Sequence, residues 1–231
     1  MTHMEDSAAV LHSWEENAQA WTDAIRQQKI ASRTLVTNQA IVEAVLGTRP
    51  ATALDLGCGE GWLSWRLATE GIAITGTDAI ASLVLAARQN STPALAHTPE
   101  FLHMRYEELP GTLRGRLFDT VVCNFSLLDK EGVEALLAAV PGLLAPAGHL
   151  IIQTLHPNTL AQEQGHQDGW RKESWQGMGG EFRGAAPWYY RTLTSWQTLF
   201  ARSGLHLQHV VEPRHPHTGE PASIIFTLTA G

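Results

Sequence analysis

Apolar residues recur at helical spacing from 8 to 28, with Val10, Leu11, Trp14, Ala18, Trp21 and Ile25 on one stripe. The pattern repeats from Ile30 to Leu46, so two helices are expected before the first strand. Beyond Pro50 the period changes. Ala53–Leu56 reads as a short buried strand, followed by a glycine turn and a helix from Trp62 to Thr69. Ile72–Thr77 and Ile80–Gln89 repeat the strand and helix pair. Glu100–Met104 and Leu117–Cys123 read as strands, Gly132–Leu144 as a helix, and His149–Leu155 as a strand after the turn Pro146-Ala147-Gly148. A glycine- and aromatic-rich stretch from 157 to 190 interrupts this alternation. A helix Leu193–Arg202 and strands Leu205–Val211 and Ser223–Thr229 close the chain, with a proline-rich loop between the two strands.

Strands alternating with helices predict an α/β fold, a mostly parallel seven-stranded sheet with helices on both faces. Length is consistent with this, since 231 residues suit one domain with a helical extension. Hydrophobic residues make up 44% and charged residues 17%, an ordinary globular balance. No apolar run reaches the roughly 18–20 residues of a membrane span, and the polar start resembles no targeting peptide. The two cysteines, Cys58 and Cys123, fit neither a disulfide framework nor a zinc spacing, which predicts a cytoplasmic setting. A net charge of −7 argues against a nucleic-acid partner.

The candidate chemistry is concentrated in Ala53-Leu54-Asp55-Leu56-Gly57-Cys58-Gly59-Glu60-Gly61. A strand leading into a Gly-x-Gly-x-Gly turn and a helix is a nucleotide-binding device: glycines allow a tight turn and close approach, and free amides face the ligand. The spacing is not the Gly-x-Gly-x-x-Gly of dinucleotide sites. Asp55, set before the glycines, would repel a pyrophosphate and suits an ammonium or sulfonium ligand.

This segment resembles the first motif of the class I S-adenosylmethionine-dependent methyltransferases, the small-molecule type in particular. The resemblance extends to Asp78 with Ala79 at the end of the second strand, to Met104–Pro110 after the third, to Phe118–Phe125 around the fourth, and to Leu144–Leu150 before the fifth. It implies a Rossmann-like fold with an N-terminal helical lid over 1–49, a cofactor-binding half over 50–156, an aromatic insertion over 157–190, and a C-terminal helix with the last strands over 191–231. It also implies S-adenosylmethionine as cofactor. Asp55, Gly57, Cys58, Gly59 and Gly61 would form the turn. Asp78 would take the ribose hydroxyls, Tyr106 would pack on the adenine, and Asn124, after the fourth strand, would also contact the cofactor. Trp21 and Arg33 would reach in from the lid, Arg33 toward the methionine carboxylate.

The acceptor would lie under the segments covering the ends of strands four and five. Trp188, Tyr189 and Tyr190 are candidate pocket residues, and Asn124–Leu128 lies beside them. His156, immediately after the fifth strand, is a candidate general base. Plainer roles remain open: an N-cap for the following helix at Asp78, and core packing for Trp14 and Trp21, which are seven apart. His215, His217 and Glu212 read as an exposed turn, so no metal is expected. The expected partner is a small-molecule acceptor, with the protein a monomer or homodimer. A nicotinamide oxidoreductase is disfavoured because no Tyr-x-x-x-Lys pair occurs. A base-amine methyltransferase is disfavoured because Asn124-Phe125-Ser126-Leu127 lacks the Asn-Pro-Pro-Tyr pattern. A cofactor-binding regulator without turnover stays open.

Overall fold

A computed structural model describes residues 3–90, 95–159, 165–172, 175, 177–184 and 187–231. The remainder of the insertion lies outside the described residues. The main sheet holds β1 (Thr52–Leu56), β2 (Ala73–Asp78), β3 (Glu100–His103), β4 (Phe118–Asn124), β5 (Leu144–Thr154), β8 (Leu205–Val211) and β9 (Ile224–Ala230). Their spatial order is β3-β2-β1-β4-β5-β9-β8, and β9 runs antiparallel to both neighbours. The helices are α1 (His3–Arg26), α2 (Asn38–Gly47), α3 (Trp62–Ala68), α4 (Ala81–Gln89), the short α5 (Leu109–Thr112), α6 (Glu131–Ala139) and α7 (Leu193–Arg202).

Period-two alternation divides the central strands between two cores. Leu54, Leu56, Val121, Cys123, Leu150 and Ile152 face α6 and α7, meeting Val133, Leu137, Trp196 and Phe200. Ala53, Val122, Ile151 and Ile225 face the opposite way, onto Ile41 and Val45 of α2 and Leu63 and Leu67 of α3. Both faces are therefore covered, which is why these strands read as unbroken apolar runs. Strand order reverses between β1 and β4, and in open parallel sheets the crevice at such a point receives the ligand.

The structure departs from the sequence reading where local chemistry interrupts a period. The expected helix Ile30–Leu46 contains a wide π-type turn, Arg33–Thr37, before α2 begins; such turns often mark functional sites. The helix expected to reach Leu144 ends at Ala139, and Pro141 tightens the next turn to 3₁₀ geometry over Val140–Leu143. Strand β5 begins at Leu144 rather than His149. The expected turn is instead an irregularity inside it, with Ala147 at φ +62°. The insertion is not wholly irregular: β6 (Gly169–Lys172) and β7 (Pro187–Tyr190) pair as a small antiparallel ladder, Trp170 opposite Tyr189. Their aromatic content suits a strand.

Candidate functional site

The glycine turn leaves β1 with all three glycines in left-handed conformations, Gly57 at φ +74°, Gly59 at +58° and Gly61 at +83°. The amides of Gly57 and Cys58 both donate to the Thr77 carbonyl, at 2.8 and 2.9 Å, fastening the turn to β2. A side chain at Gly57 would meet the Ser126 Cβ at 2.3 Å, whereas one at Gly59 would meet only the Trp21 Nε1 at 3.4 Å. Gly57 thus permits the close approach of the loop after β4, and Gly59 keeps its outer face open. Gly61 serves packing, since a Cβ there would strike Ala87 and Phe101.

Asp78 ends β2 and binds two amides. Its Oδ2 accepts from Gly59 N at 2.9 Å and its Oδ1 from Ile80 N at 2.8 Å. The N-cap of α4 is Ile80, with no side-chain cap hydrogen bond, so Asp78 fixes the turn before that helix rather than capping it, and it does so from the cleft. Burial raises the Asp78 carboxyl above its ordinary range, against the lowering effect of these amides. Asp55 lies beneath the turn, 1% exposed, accepting the Ser64 hydroxyl at 2.7 Å. Burial lifts its carboxyl to about 7. Glu60, also buried, is raised by the same cause, and its Oε2 has no hydrogen-bond partner.

A cleft of about 1000 Å³, including its open mouth, collects Gly57, Gly59, Asp78, Ala79, Tyr106 and Asn124, and Trp14 and Trp21 of α1 roof it. Tyr106 donates its hydroxyl to the Ser126 carbonyl at 3.1 Å, so its ring is fixed at the cleft wall. The Asn124 Oδ1 is buried without a partner. Cys58 and Asp55 are not among the cleft-lining residues. The Cys58 side chain packs with Trp65 and Phe101 behind the turn, and burial pushes its thiol up, away from reactivity.

A second space, about 1030 Å³ with its mouth, adjoins the first and is mostly aromatic. Trp188, Tyr189 and Tyr190 of β7 line it, together with Trp175, Trp196 and Arg33. Trp14, Trp21, Phe125 and Leu128 line both spaces, so the two chambers share one wall. Phe125 stands at that wall with φ +54° and donates its amide to the Gln153 carbonyl at 2.8 Å. A left-handed phenylalanine costs of order 1–3 kcal/mol and persists only where its surroundings hold it.

Arg33 sits in the wide turn before α2, 6% exposed, its guanidinium 5.4 Å from the centre of the Trp21 ring and 5.0 Å from that of Trp62. Its Nε donates to the Asn38 Oδ1, while one terminal nitrogen is unpaired. Burial lowers its pKa to about 10, partly offset by Glu60 and Asp55. His156 is not among the residues lining either chamber. It is 4% exposed, and its Nε2 lies 3.0 Å from the Glu212 Oε1, joining the end of β5 to the loop between β8 and β9. The candidate base thus makes its hydrogen bond to Glu212 and not to a residue of either chamber.

Several contributors carried no sequence signal of their own. Trp62 supports Arg33, Glu60 faces it electrostatically, and Asp129 accepts from Ser7 of α1 at 2.5 Å and from Gly132 N at 2.6 Å. Asn17 of α1 exchanges two hydrogen bonds with the Arg183 backbone, at 2.7 and 3.0 Å. The lid is thereby tied both to the loop after β4 and to the insertion.

The strand order with its one antiparallel strand, the glycine turn and the acidic end of β2 define the class I methyltransferase fold. Residues 53–148 match the methyltransferase domain family. A ubiquinone biosynthesis O-methyltransferase of Xanthomonas euvesicatoria is 32% identical over 144 residues, covering 62% of this chain and 59% of the relative. A protein of the same name from Psychrobacter cryohalolentis is 33% identical over 116 residues, covering 50% and 45%. The match thus spans about three fifths or less of these relatives' own length. Among solved structures, an S-adenosylmethionine-dependent methyltransferase of Clostridium acetobutylicum superposes with a TM-score of 0.62 at 16% identity, covering 94% of this chain and 99% of that one. A magnesium protoporphyrin IX methyltransferase of Synechocystis superposes with a TM-score of 0.61 at 21% identity, covering 89% and 86%. Among the described residues, no helix is long and apolar enough to cross a membrane.

Proposed function

We propose that this protein transfers a methyl group from S-adenosylmethionine to a small-molecule acceptor held in the aromatic chamber. The observation that carries the reading is the shared wall: a cleft holding Gly57, Gly59 and Asp78 opens beside an aromatic chamber, and Trp14 and Trp21 border both.

The cofactor fits the residues present. Gly59 lines the cleft with no side chain of its own, Trp21 being the one group within 4 Å of where a Cβ would stand, and among the described residues Asn124 offers a buried unpaired oxygen and Arg33 a buried unpaired nitrogen. Asp78, which keeps further lone pairs, would hold the ribose hydroxyls beside Ala79. Tyr106 and Asn124 would border the adenine, and Gly57 with Gly59 would pass beneath the cofactor. Arg33 and Trp21 would close its methionine end, with the buried Asp55, Cys58 and Gly61 shaping the turn from behind. When bound, S-adenosylmethionine supplies a methyl group activated on a sulfonium sulfur. The chain's own part is to orient the acceptor and keep water out, which the lid and the β6–β7 ladder are placed to do. Trp188, Tyr189 and Tyr190 would bind the acceptor through ring contacts.

Curated relatives named as O-methyltransferases support a small acceptor. The unpaired, buried thiols Cys58 and Cys123 support a cytoplasmic setting. Both chambers are lined by one chain, so a monomer would suffice.

The test is calorimetric titration with S-adenosylmethionine and S-adenosylhomocysteine, followed by a screen of metabolite extracts with methyl-labelled cofactor. Saturable binding with label transferred to a small molecule supports the reading. Binding without transfer to any acceptor would favour a regulator, and no binding would defeat both.

A further inference from the structure

The aromatic chamber contains a feature that ring stacking does not use. Trp14 and Trp175 meet edge to face, ring centres 5.4 Å apart at 86°. Both line the chamber, and among the described residues neither buried Nε1 has a hydrogen-bond partner. Trp175 is 7% exposed and lies stacked on Phe182 at 4.8 Å, with its own backbone at φ +58°. Trp14 is held on its other side by Trp21, ring centres 5.1 Å apart. Two indoles are therefore fixed next to each other with their only polar atoms unspent.

An indole N–H donates and cannot accept. Burying such a donor without an acceptor costs about 1–3 kcal/mol, so the pair is a standing cost unless a ligand brings the acceptor. Thr37, whose Oγ1 is also buried and unpaired, and Arg33 line the same chamber. The charged side chains among its described lining residues are Arg33 and Arg191, and none is a carboxylate. Arg191 is engaged by the Asp129 and Lys130 carbonyls and by Glu134, and Arg33 is assigned above to the cofactor, so what this wall adds between flat rings is N–H donors. An ammonium arene would bring donors to donors, and a purely apolar one would leave the donors unpaired.

We propose that Trp14 and Trp175 form an oxygen-binding subsite of the acceptor chamber, selecting a planar aromatic acceptor that bears a carboxylate, carbonyl or phenolate oxygen. The proposal rests on the methyltransferase reading only in calling the chamber's ligand the acceptor. The donor pair and the rings stand without it.

Three probes with one ring system separate the terms: 2-naphthoate, 2-methylnaphthalene and 2-naphthylmethylammonium. Each is titrated calorimetrically into the full chain, with and without saturating S-adenosylhomocysteine. The naphthoate should bind at least about tenfold more tightly than either other probe, near 1.4 kcal/mol. Trp175→Phe keeps a ring and removes the donor. It should weaken naphthoate binding about fivefold, the usual worth of one hydrogen bond, while methylnaphthalene stays within about twofold. Trp14→Phe should behave alike, and serves if the first variant misfolds. Equal affinities for the three probes would overturn the proposal. So would a variant that shifts both arenes equally, since the N–H groups would then be spent on neighbouring rings. A chain that ignores S-adenosylhomocysteine yet discriminates the probes would defeat the methyltransferase reading and leave the subsite intact.

Discussion

The carboxylate of Asp78 accepts the backbone amide of Gly59 at 2.9 Å, so the end of β2 holds the glycine turn directly. The residue proposed to bind the ribose is also the residue that shapes the loop beneath it. Two effects should therefore appear when it changes. Asp78→Asn should weaken S-adenosylmethionine binding by about tenfold or more in calorimetry. It should also lower unfolding stability by roughly 1–2 kcal/mol, because the Gly59 and Ile80 amides lose a charged acceptor. Unchanged affinity would sink the ribose assignment, whatever the stability.

Two glycines with similar backbones should respond differently to a methyl group. Gly57 has φ +74° and its new Cβ would lie 2.3 Å from the Ser126 Cβ, whereas Gly71 has φ +85° and nothing within 4 Å. Gly71→Ala should cost only the left-handed strain, about 1–2 kcal/mol. Gly57→Ala adds overpacking and should cost roughly 3 kcal/mol or more, with loss of cofactor binding. Thermal unfolding of the two variants side by side decides it, and similar losses would refute the close approach of turn and Ser126.

Asp55 gives a pH signature. Burial lifts its carboxyl from the usual value near 4 to about 7, so the native state holds this proton more tightly than the unfolded chain does. Its contribution to stability is fully present below about pH 4 and is lost as pH climbs through 7. Asp55→Asn, which cannot ionise, should gain on the wild type by on the order of a few kcal/mol across that interval. Urea titrations at a series of pH values measure the difference. A difference flat with pH would contradict the burial of an ionisable carboxyl there.

His156 should prove structural. Its Nε2 lies 3.0 Å from the Glu212 Oε1, and this hydrogen bond holds the Glu212 carboxyl below its ordinary range. His156→Gln should cost about 1 kcal/mol in urea unfolding and leave cofactor affinity within about twofold. A turnover loss of about a hundredfold at unchanged affinity, on an acceptor found by the extract screen, would restore it as a base.

Much of the glycine-turn cleft was legible in the chain because it is local. Asp55 to Gly61 is a contiguous strand, turn and helix start, and Asp78 follows at the next strand end. The turn's conformation follows from its glycines alone, since few other residues tolerate positive φ repeatedly. Misread boundaries had local causes too: Pro141 cut the sixth helix short, and Ala147 bent β5 rather than starting it.

The aromatic chamber was legible only as composition. The aromatic residues of 157–190 could be counted, but nothing in their order reveals that Trp175 meets Trp14 across 161 positions, or that Trp170 pairs with Tyr189. His156 shows the converse limit. Its place at the end of β5 fits a base, yet the direction of its side chain depends on a loop from the far end of the chain.

The sequence by itself determined the sheet's alternating cores and the glycine turn, because strand period and left-handed glycines are properties of neighbouring residues. Only the tertiary structure decided that Trp14 and Trp21 roof two chambers at once, that Arg33 is buried between Trp21 and Trp62, and that His156 turns to Glu212. Those outcomes depend on which distant surfaces bury one another, and no short stretch of chain encodes that choice.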